Sequence, residues 1–368
     1  YTLELSSAAS DVYKRQTRDQ AENYVDDPDT QGLDGSSAEL VVALLEHMGR
    51  AEDREAAKPI AAAMDASDIE DLLRGLSTEE LLAPFDAAAE GSNMPLYLSP
   101  NISRDGHVIV DMDPLVAFST PGAYNAVPLI AGTNREESKL FFAFSSPHVD
   151  YTMGLPTGFL NERLYDLEGE YGGLSWRAMG VDEPISAMRS VQGESVWAYR
   201  FDWDEEPVVL GMDLSKLIGA AHALELPFVF GLTDLGFANR FLYADPPSAE
   251  VLSSQMRSYW TQMAYAWAPG RGREGDLPEW TAWDPVPEAP KYIIVDSSND
   301  GGLEFGNDQV SQGIILSKIA SDTRLQNTEE RCRVLRNLVQ WSDALTPEEY
   351  AELDDGACHA HPLESRVH

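Results

Sequence analysis

Three short apolar runs, set apart by stretches of helical periodicity, constrain this chain more than any other feature. Val127-Pro128-Leu129-Ile130-Ala131-Gly132 ends in Gly-Thr-Asn, as a buried parallel strand does. Val196 to Trp203 (VWAYRFDW) is aromatic, β-branched and partly alternating, which predicts a second strand. Tyr292-Ile293-Ile294-Val295 predicts a third. Between the second and third, residues 249–268 carry a helical apolar stripe of Val251, Met256, Tyr259, Trp260, Met263 and Trp267. Residues 310–345 read as a helical tail. Strands alternating with helices argue an α/β fold.

Upstream of these runs the pattern is mainly helical. Residues 21–35 are loop-like, rich in Asp, Gly and Pro. Ser36-Ser37-Ala38-Glu39 offers a capping box, Ser36 as N-cap and Glu39 three residues on. Leu40, Val41, Leu44, Leu45 and Met48 then line one helical face, with Gly49 as a stop. More helix is expected over residues 53–64 and 67–74, and again from Ser77-Thr78-Glu79-Glu80. Asp105-Gly106 is a turn signal between Ile102 and the run Val108-Ile109-Val110. No internal repeat and no linker rich in Pro, Gly or Ser divides the chain, so a single domain is expected.

Charge and composition remove several function classes. Of 368 residues, Lys+Arg number 26 and Asp+Glu 62, a net charge of −36. A surface that acidic repels phosphate backbones and anionic membranes, so a general nucleic-acid binder is disfavoured. The apolar share of 43% with eight Trp is that of a globular chain, not a disordered one. No run of eighteen apolar residues predicts a transmembrane helix. Two cysteines exclude a disulfide-framework miniprotein and a Cys-rich zinc domain. The basic residues are 6 Lys and 20 Arg, a balance that fits a salty habitat or a GC-rich genome alike.

Residues 1–16 (YTLELSSAASDVYKRQ) look unlike native protein. They lack the pattern of a signal peptide and resemble translated sequencing-adapter sequence. On that reading native sequence begins near Thr17.

Two motifs carry chemistry. In the first, the strand ending at Asn134 runs into Arg135-Glu136-Glu137-Ser138, placing two carboxylates beyond the carboxyl end of a strand. A carboxylate there can orient a histidine or merely cap a helix. In the second, Gly219-Ala220-Ala221-His222-Ala223-Leu224-Glu225-Leu226-Pro227-Phe228-Val229-Phe230-Gly231 sets one histidine in a small-residue stretch after the second strand. Histidine is the usual general base near neutral pH, and also a common core residue.

Taken together, these motifs resemble the type-B carboxylesterase/lipase family, which includes cholinesterases and bacterial p-nitrobenzyl esterases. Gly132-Thr133-Asn134-Arg135-Glu136-Glu137 is similar to that family's G-T-N-x-D-E acid motif, and Gly219 to Gly231 to its histidine motif. The run at 196–203, Met256-Arg257-Ser258-Tyr259-Trp260, Leu277-Pro278-Glu279-Trp280 and Asp105-Gly106-His107-Val108-Ile109 match further landmarks in order. The resemblance covers about residues 20 to 305 and only the C-terminal portion of the family's domain. It implies an α/β-hydrolase fold, with the C-terminal part of its mixed sheet and flanking helices present and its N-terminal strands missing. Residues 17–310 would be that portion, and 311–368 a helical tail packed on the same domain. It implies a carboxylic ester hydrolase working through an acyl-enzyme on a small-molecule ester substrate, with Glu137 as triad acid and His222 as general base. Glu136 falls on the more variable neighbouring position, and Glu225 on a structural acid local to the histidine loop. No cofactor or metal is implied, and family habit favours an exported enzyme. The rival is a non-catalytic, cholinesterase-like adhesion protein on the same fold.

The nucleophile is the missing member. In α/β-hydrolases it occupies a G-x-S-x-G elbow, in chain order Ser, acid, His. No serine of the sequence has glycine at both −2 and +2. Gly193-Glu194-Ser195 comes nearest, but it lies between Glu137 and His222 and precedes a strand instead of following one. The glycine-rich oxyanion loop is absent too. The expectation is a fragment without triad esterase activity, prone to expose apolar sheet faces and edges.

Other signals carry less. Asp296-Ser297-Ser298-Asn299-Asp300-Gly301 superficially looks like a calcium loop, but Asn307 stands where the twelfth-position Glu belongs, so a plain turn is expected. Cys358-His359-Ala360-His361 lacks further ligands at metal-site spacing. Cys332 and Cys358 are open to either reading, a disulfide or two free thiols.

Overall fold

The computed structural model describes residues 22–32, 36–88, 106–108, 110–231, 243, 247–341, 347–354 and 356–361. The adapter-like segment 1–16 lies outside them, as do Ile102, Asp105 and Ile109 of the proposed turn. The described residues from 106 to 112 contain no strand. Two compact units form, dividing between Met112 and Asp113.

The first unit is helical: α1 (Ser37–His47), α2 (Arg54–Ala62), α3 (Ala66–Arg74) and α4 (Thr78–Ala88). Val41, Val42 and Leu45 of α1 bury against Ala57 and Ala61 of α2 and Leu72 of α3. The cap at Ser36 forms, its Oγ accepting from the Glu39 N–H at 3.2 Å. The return arm of the expected capping box does not form. The Glu39 carboxylate instead accepts from Val25 N at 3.0 Å and from Arg54 Nη2 at 2.6 Å. A guanidinium makes a stronger, charge-assisted partner than one backbone amide. Ser77 and Glu80 close such a box at the start of α4, each side chain bonding the other's backbone N–H.

The second unit is built on a mixed sheet flanked by helices. After α5 (Pro114–Phe118), strand β1 (Leu129–Asn134) leads through α6 (Lys139–Phe142) into a hairpin of β2 (Val149–Thr152) and β3 (Leu155–Phe159). Helix α7 (Glu162–Arg177), a π-turn at Ala178–Asp182 and α8 (Glu183–Gln192) return the chain to β4 (Val196–Phe201). A short hairpin of β5 (Val208–Val209) and β6 (Met212–Asp213) follows, then α9 (Leu214–Leu217), α10 (Leu226–Phe230) and α11 (Pro247–Ala266). Strands β7 (Tyr292–Val295) and β8 (Leu303–Gly306) complete the sheet in the order β1-β4-β7-β8. β1, β4 and β7 are parallel, and β8 is antiparallel.

The alternation of β4 explains its burial on both faces. Trp197, Tyr199 and Phe201 point into a cluster with Leu252, Met256, Tyr259, Trp260 and Met263 of α11. Val196 and Ala198 face Ile185 and Met188 of α8 on the other side. This is the two-face burial expected of a parallel strand between helical layers. β7 pairs only with the second half of β4. Along the first half, Trp280 Nε1 donates to Ala198 O at 3.1 Å and Trp283 N to Val196 O at 2.9 Å. The Leu277–Trp280 landmark thus serves the sheet.

The expected helical tail is interrupted. It comprises α12 (Gln312–Ser321), α13 (Thr328–Trp341) and α14 (Pro347–Ala351), with a 3-10 turn at Ala357–Ala360. Asp322 breaks the helical run by capping in extended conformation. Of the two cysteine readings, the structure has the disulfide, Cys332–Cys358, with both residues buried. Among the described residues, no helix is long and apolar enough to cross a membrane.

Candidate active site

The parallel pairing of β1 with β4 brings the two chemistry-bearing loops to one end of the sheet. Asn134, the last residue of β1, pairs with Phe201, the last of β4. Arg135 N extends the ladder by donating to Phe201 O at 2.9 Å. The acid loop and the histidine loop then bond each other directly. Glu136 N donates to Ala220 O at 2.9 Å, and His222 N to Glu137 O at 3.3 Å.

Glu137 turns inward and is only 3% exposed. Its Oε1 accepts from Asn134 N at 2.8 Å and from Thr133 Oγ1 at 3.2 Å. Its Oε2 is hydrogen-bonded to His222 Nδ1 at 2.8 Å. One carboxylate oxygen is thus fixed by the strand and the other by the imidazole. With Nδ1 so engaged, the tautomer that donates to Glu137 presents Nε2 as the basic nitrogen. The His222 ring packs against a pair of touching aromatic rings, Trp176 at 5.0 Å and Phe141 at 5.3 Å between centroids. The structure therefore brings Glu137 and His222 together, 85 residues apart in sequence.

Glu136 does different work. Its Oε2 accepts from Ala220 N at 3.0 Å, two residues before the histidine. Lys139 Nζ donates to its Oε1 at 3.1 Å, and Arg135 lies at 3.2 Å. Burial alone would raise its pKa, but Lys139 and Arg135 outweigh burial and hold the carboxyl below its ordinary range. Gly219 makes this approach possible. Its φ is +53°, and a Cβ there would stand 2.3 Å from Glu136 Oε2.

Glu225 is buried beside the pair. Asn134 Nδ2 donates to its Oε2 at 2.6 Å and to Ala221 O at 2.7 Å. Burial, and then the neighbouring Glu137, push the Glu225 pKa upward, against the pull of Asn134.

Several contributors have no assigned role in the sequence reading. Asn134 lies within the quoted motif, yet its amide ties the end of β1 to Ala221 and Glu225 of the histidine loop. Trp176 lies 46 residues upstream of His222, where no local pattern links them. A signal for its helix does exist: Gly172-Gly173 in mid-helix marks close packing. A Cβ at Gly172 would fall 2.1 Å from Ser138 Oγ, and one at Gly173 2.2 Å from Arg135 O. These glycines let α7 lie against the acid loop and carry Trp176 to the imidazole.

Ser195 sits at the opposite end of β4 from His222, just before Val196, with its Oγ bonded to Gln192 O. Cys358 is consumed by the disulfide, and among the described residues no three His, Cys, Asp or Glu side chains group as a metal site. Asp296 to Gly302 is a turn after β7, where Gly302 N donates to Ser297 O at 2.8 Å.

No family model matches the chain. Among curated proteins, it is similar to para-nitrobenzyl esterase of Bacillus subtilis (strain 168), with 29% identity over 247 residues, 62% of this chain and 46% of that protein. Among solved structures, it is similar to a PNB esterase with 24% identity and a TM-score of 0.44, covering 74% of this chain and 52% of that one. A thermophilic PNB esterase gives 24% identity and a TM-score of 0.39, covering 74% and 51%. The chain thus resembles bacterial PNB esterases and spans about half the length of these relatives.

Proposed function

We propose that Glu137 and His222 are the acid and the general base of a serine carboxylic ester hydrolase of α/β-hydrolase fold. The observation that carries this reading is the 2.8 Å bond from His222 Nδ1 to a carboxylate whose other oxygen is held by Asn134 and Thr133. A carboxylate fixed at both oxygens sets the imidazole's orientation and tautomer, and stabilises the imidazolium that forms when Nε2 takes a proton. The similarity to para-nitrobenzyl esterase supports an ester as substrate.

In this mechanism His222 removes the proton of a serine hydroxyl as the serine attacks the ester carbonyl. It returns that proton to the departing alcohol, then activates water to release the acid. Phe141 and Trp176 pack against the imidazole and help to fix its orientation. The reading assigns the nucleophile to no residue of this sequence, since no serine stands in a G-x-S-x-G setting.

The test is to recover the coding sequence upstream of Thr17, express the continuous frame and assay p-nitrophenyl ester hydrolysis together with fluorophosphonate labelling. Hydrolysis that His222→Gln and Glu137→Gln depress by about 10^3-fold or more supports the reading. A frame that neither hydrolyses nor labels overturns it in favour of a binding protein. Stoichiometric labelling of the 368-residue chain alone would place a nucleophile within it, against this assignment.

A further inference from the structure

The two small hairpins carry an unusual residue choice at their tips. Thr152 pairs with Leu155, and Val209 with Met212, so each loop has two residues, Met153-Gly154 and Leu210-Gly211. Both residues of each loop have positive φ: 54° and 78° in the first, 52° and 89° in the second. That is the backbone of a type I′ turn, where Asn-Gly is the favoured pair. Here Met and Leu take the strained first position, and they do so with their side chains in water. Met153 is 98% exposed and Leu210 83%. Leu155 and Val208, on the strands beside the tips, are also exposed. The first hairpin is anchored at its foot, where Val149 is buried in the main core and Tyr151 and Phe159 pack on it, and the second beside its tip, where Met212 is buried next to Gly211. β3 lies against β6, so the two ribbons are neighbours.

A positive-φ apolar residue at a solvent-exposed tip costs backbone strain that its side chain, left in water, does nothing to offset. Finding it on both of two adjacent ribbons points to a use for the tips. Their occupant follows from shape and charge. Protruding tips need either a matching hollow or a soft apolar phase, and two separate tips enter a soft phase without any matching. Neither residues 149–160 nor 205–213 contain Lys or Arg, while Asp150 and Asp213 stand on the ribbons themselves. With a chain charge of −36, anionic headgroups are repelled, whereas the ammonium groups of choline lipids are accepted. We propose that Met153 and Leu210 dock this protein reversibly on a zwitterionic, phosphatidylcholine-type lipid surface, their side chains entering the acyl boundary.

The experiment is co-sedimentation of the full chain with phosphatidylcholine vesicles and with equimolar phosphatidylcholine–phosphatidylglycerol vesicles. The variant is Met153→Asn/Leu210→Asn, which supplies the residues the turns favour and so leaves the fold intact or firmer. The expected result is binding to phosphatidylcholine that falls about tenfold in the double variant, and falls also with the anionic lipid. Equal binding by variant and parent, or none by the parent, overturns the proposal. So does a parent dimer in sedimentation velocity that the double variant dissolves, since the tips then seat on a second copy. An environment-sensitive fluorophore at Met153→Cys gives a separate reading. Its emission shifts to the blue on adding phosphatidylcholine vesicles if the tip inserts, and stays put if it does not.

Discussion

Asn134 and Glu225, 91 residues apart in sequence, meet through a 2.6 Å bond from the Asn134 amide to Glu225 Oε2. The same Asn134 bonds the Ala221 carbonyl through its side chain and Glu137 Oε1 through its backbone N–H. This one amide side chain thus adds two buried bonds to the backbone bonds that already join the acid and histidine loops. Replacing it leaves two buried acceptors without that donor, which costs about 1–3 kcal/mol per group. Asn134→Ala should therefore lower the unfolding free energy by about 2–6 kcal/mol, read as a lower urea midpoint at an unchanged m-value. Asn134→Asp should be worse, because it sets a third carboxylate beside Glu137 and Glu225. A melt of Asn134→Ala that overlays the parent would show that the two loops hold their register by other means.

Glu206 should make stability fall on the alkaline side. It is buried, and among the described residues neither carboxylate oxygen has a hydrogen-bond partner. Burial, with Asp204 and Glu136 nearby, pushes its pKa up to about 9. A carboxyl whose folded pKa lies above its unfolded value favours the fold fully below the unfolded pKa. That contribution drains away as pH rises from the ordinary carboxyl range through about 9. Asp296, raised to about 7 mainly by burial, acts in the same direction over a lower window. Glu206→Gln, isosteric with the protonated acid, should flatten the fall in melting temperature between neutral pH and pH near 10. An unchanged pH profile would mean that the carboxyl ionises without penalty.

The strands at Leu129, Val196 and Tyr292 and the stripe on α11 were legible because a buried strand and an amphipathic helix write their period into local sequence. The two hairpins were not, for Met-Gly and Leu-Gly are not turn signals, and their short strands leave no alternation to read. The capping box at Ser36 was legible only by half, since a distant arginine, Arg54, competes for Glu39. At the candidate site, Glu137 and His222 could be singled out by motif, but not Trp176. Its place beside the imidazole depends on how closely α7 approaches the acid loop, a tertiary fact that Gly172 and Gly173 permit without announcing.

Gly219 should tolerate no side chain. Its φ of +53° is unfavourable for any residue with a Cβ, and that Cβ would also meet Ser215 O at 2.9 Å and Glu136 Oε2 at 2.3 Å. Gly219→Ala therefore combines backbone strain with displacement of the carboxylate that holds Ala220. A loss of about 1–3 kcal/mol in chemical denaturation is expected. His222 and Glu137 should also separate, which a change in the imidazole resonances of His222 by NMR would report. Parent-like stability and resonances in this variant would mean that Glu136 is dispensable to the histidine loop.

The Cys332–Cys358 disulfide closes a loop of 26 residues between α13 and the terminal 3-10 turn. Around it, Tyr350 Oη donates to Cys332 O at 3.2 Å and to His361 O at 2.7 Å, so the loop is held by packing as well as by the bond. Loop-closure entropy for such a length is worth about 3 kcal/mol. Because Cys332 packs with Leu164, Leu167 and Tyr171 of α7, loosening it reaches the helix that carries Trp176. Cys332→Ala/Cys358→Ala should therefore lower the melting temperature and speed hydrogen exchange in α13 first, with α7 following. Reduction of the parent under mild denaturant should reproduce that order. If exchange in α7 matches the parent while α13 opens, the terminal segment is fastened to the unit without supporting it, and the disulfide serves the tail alone.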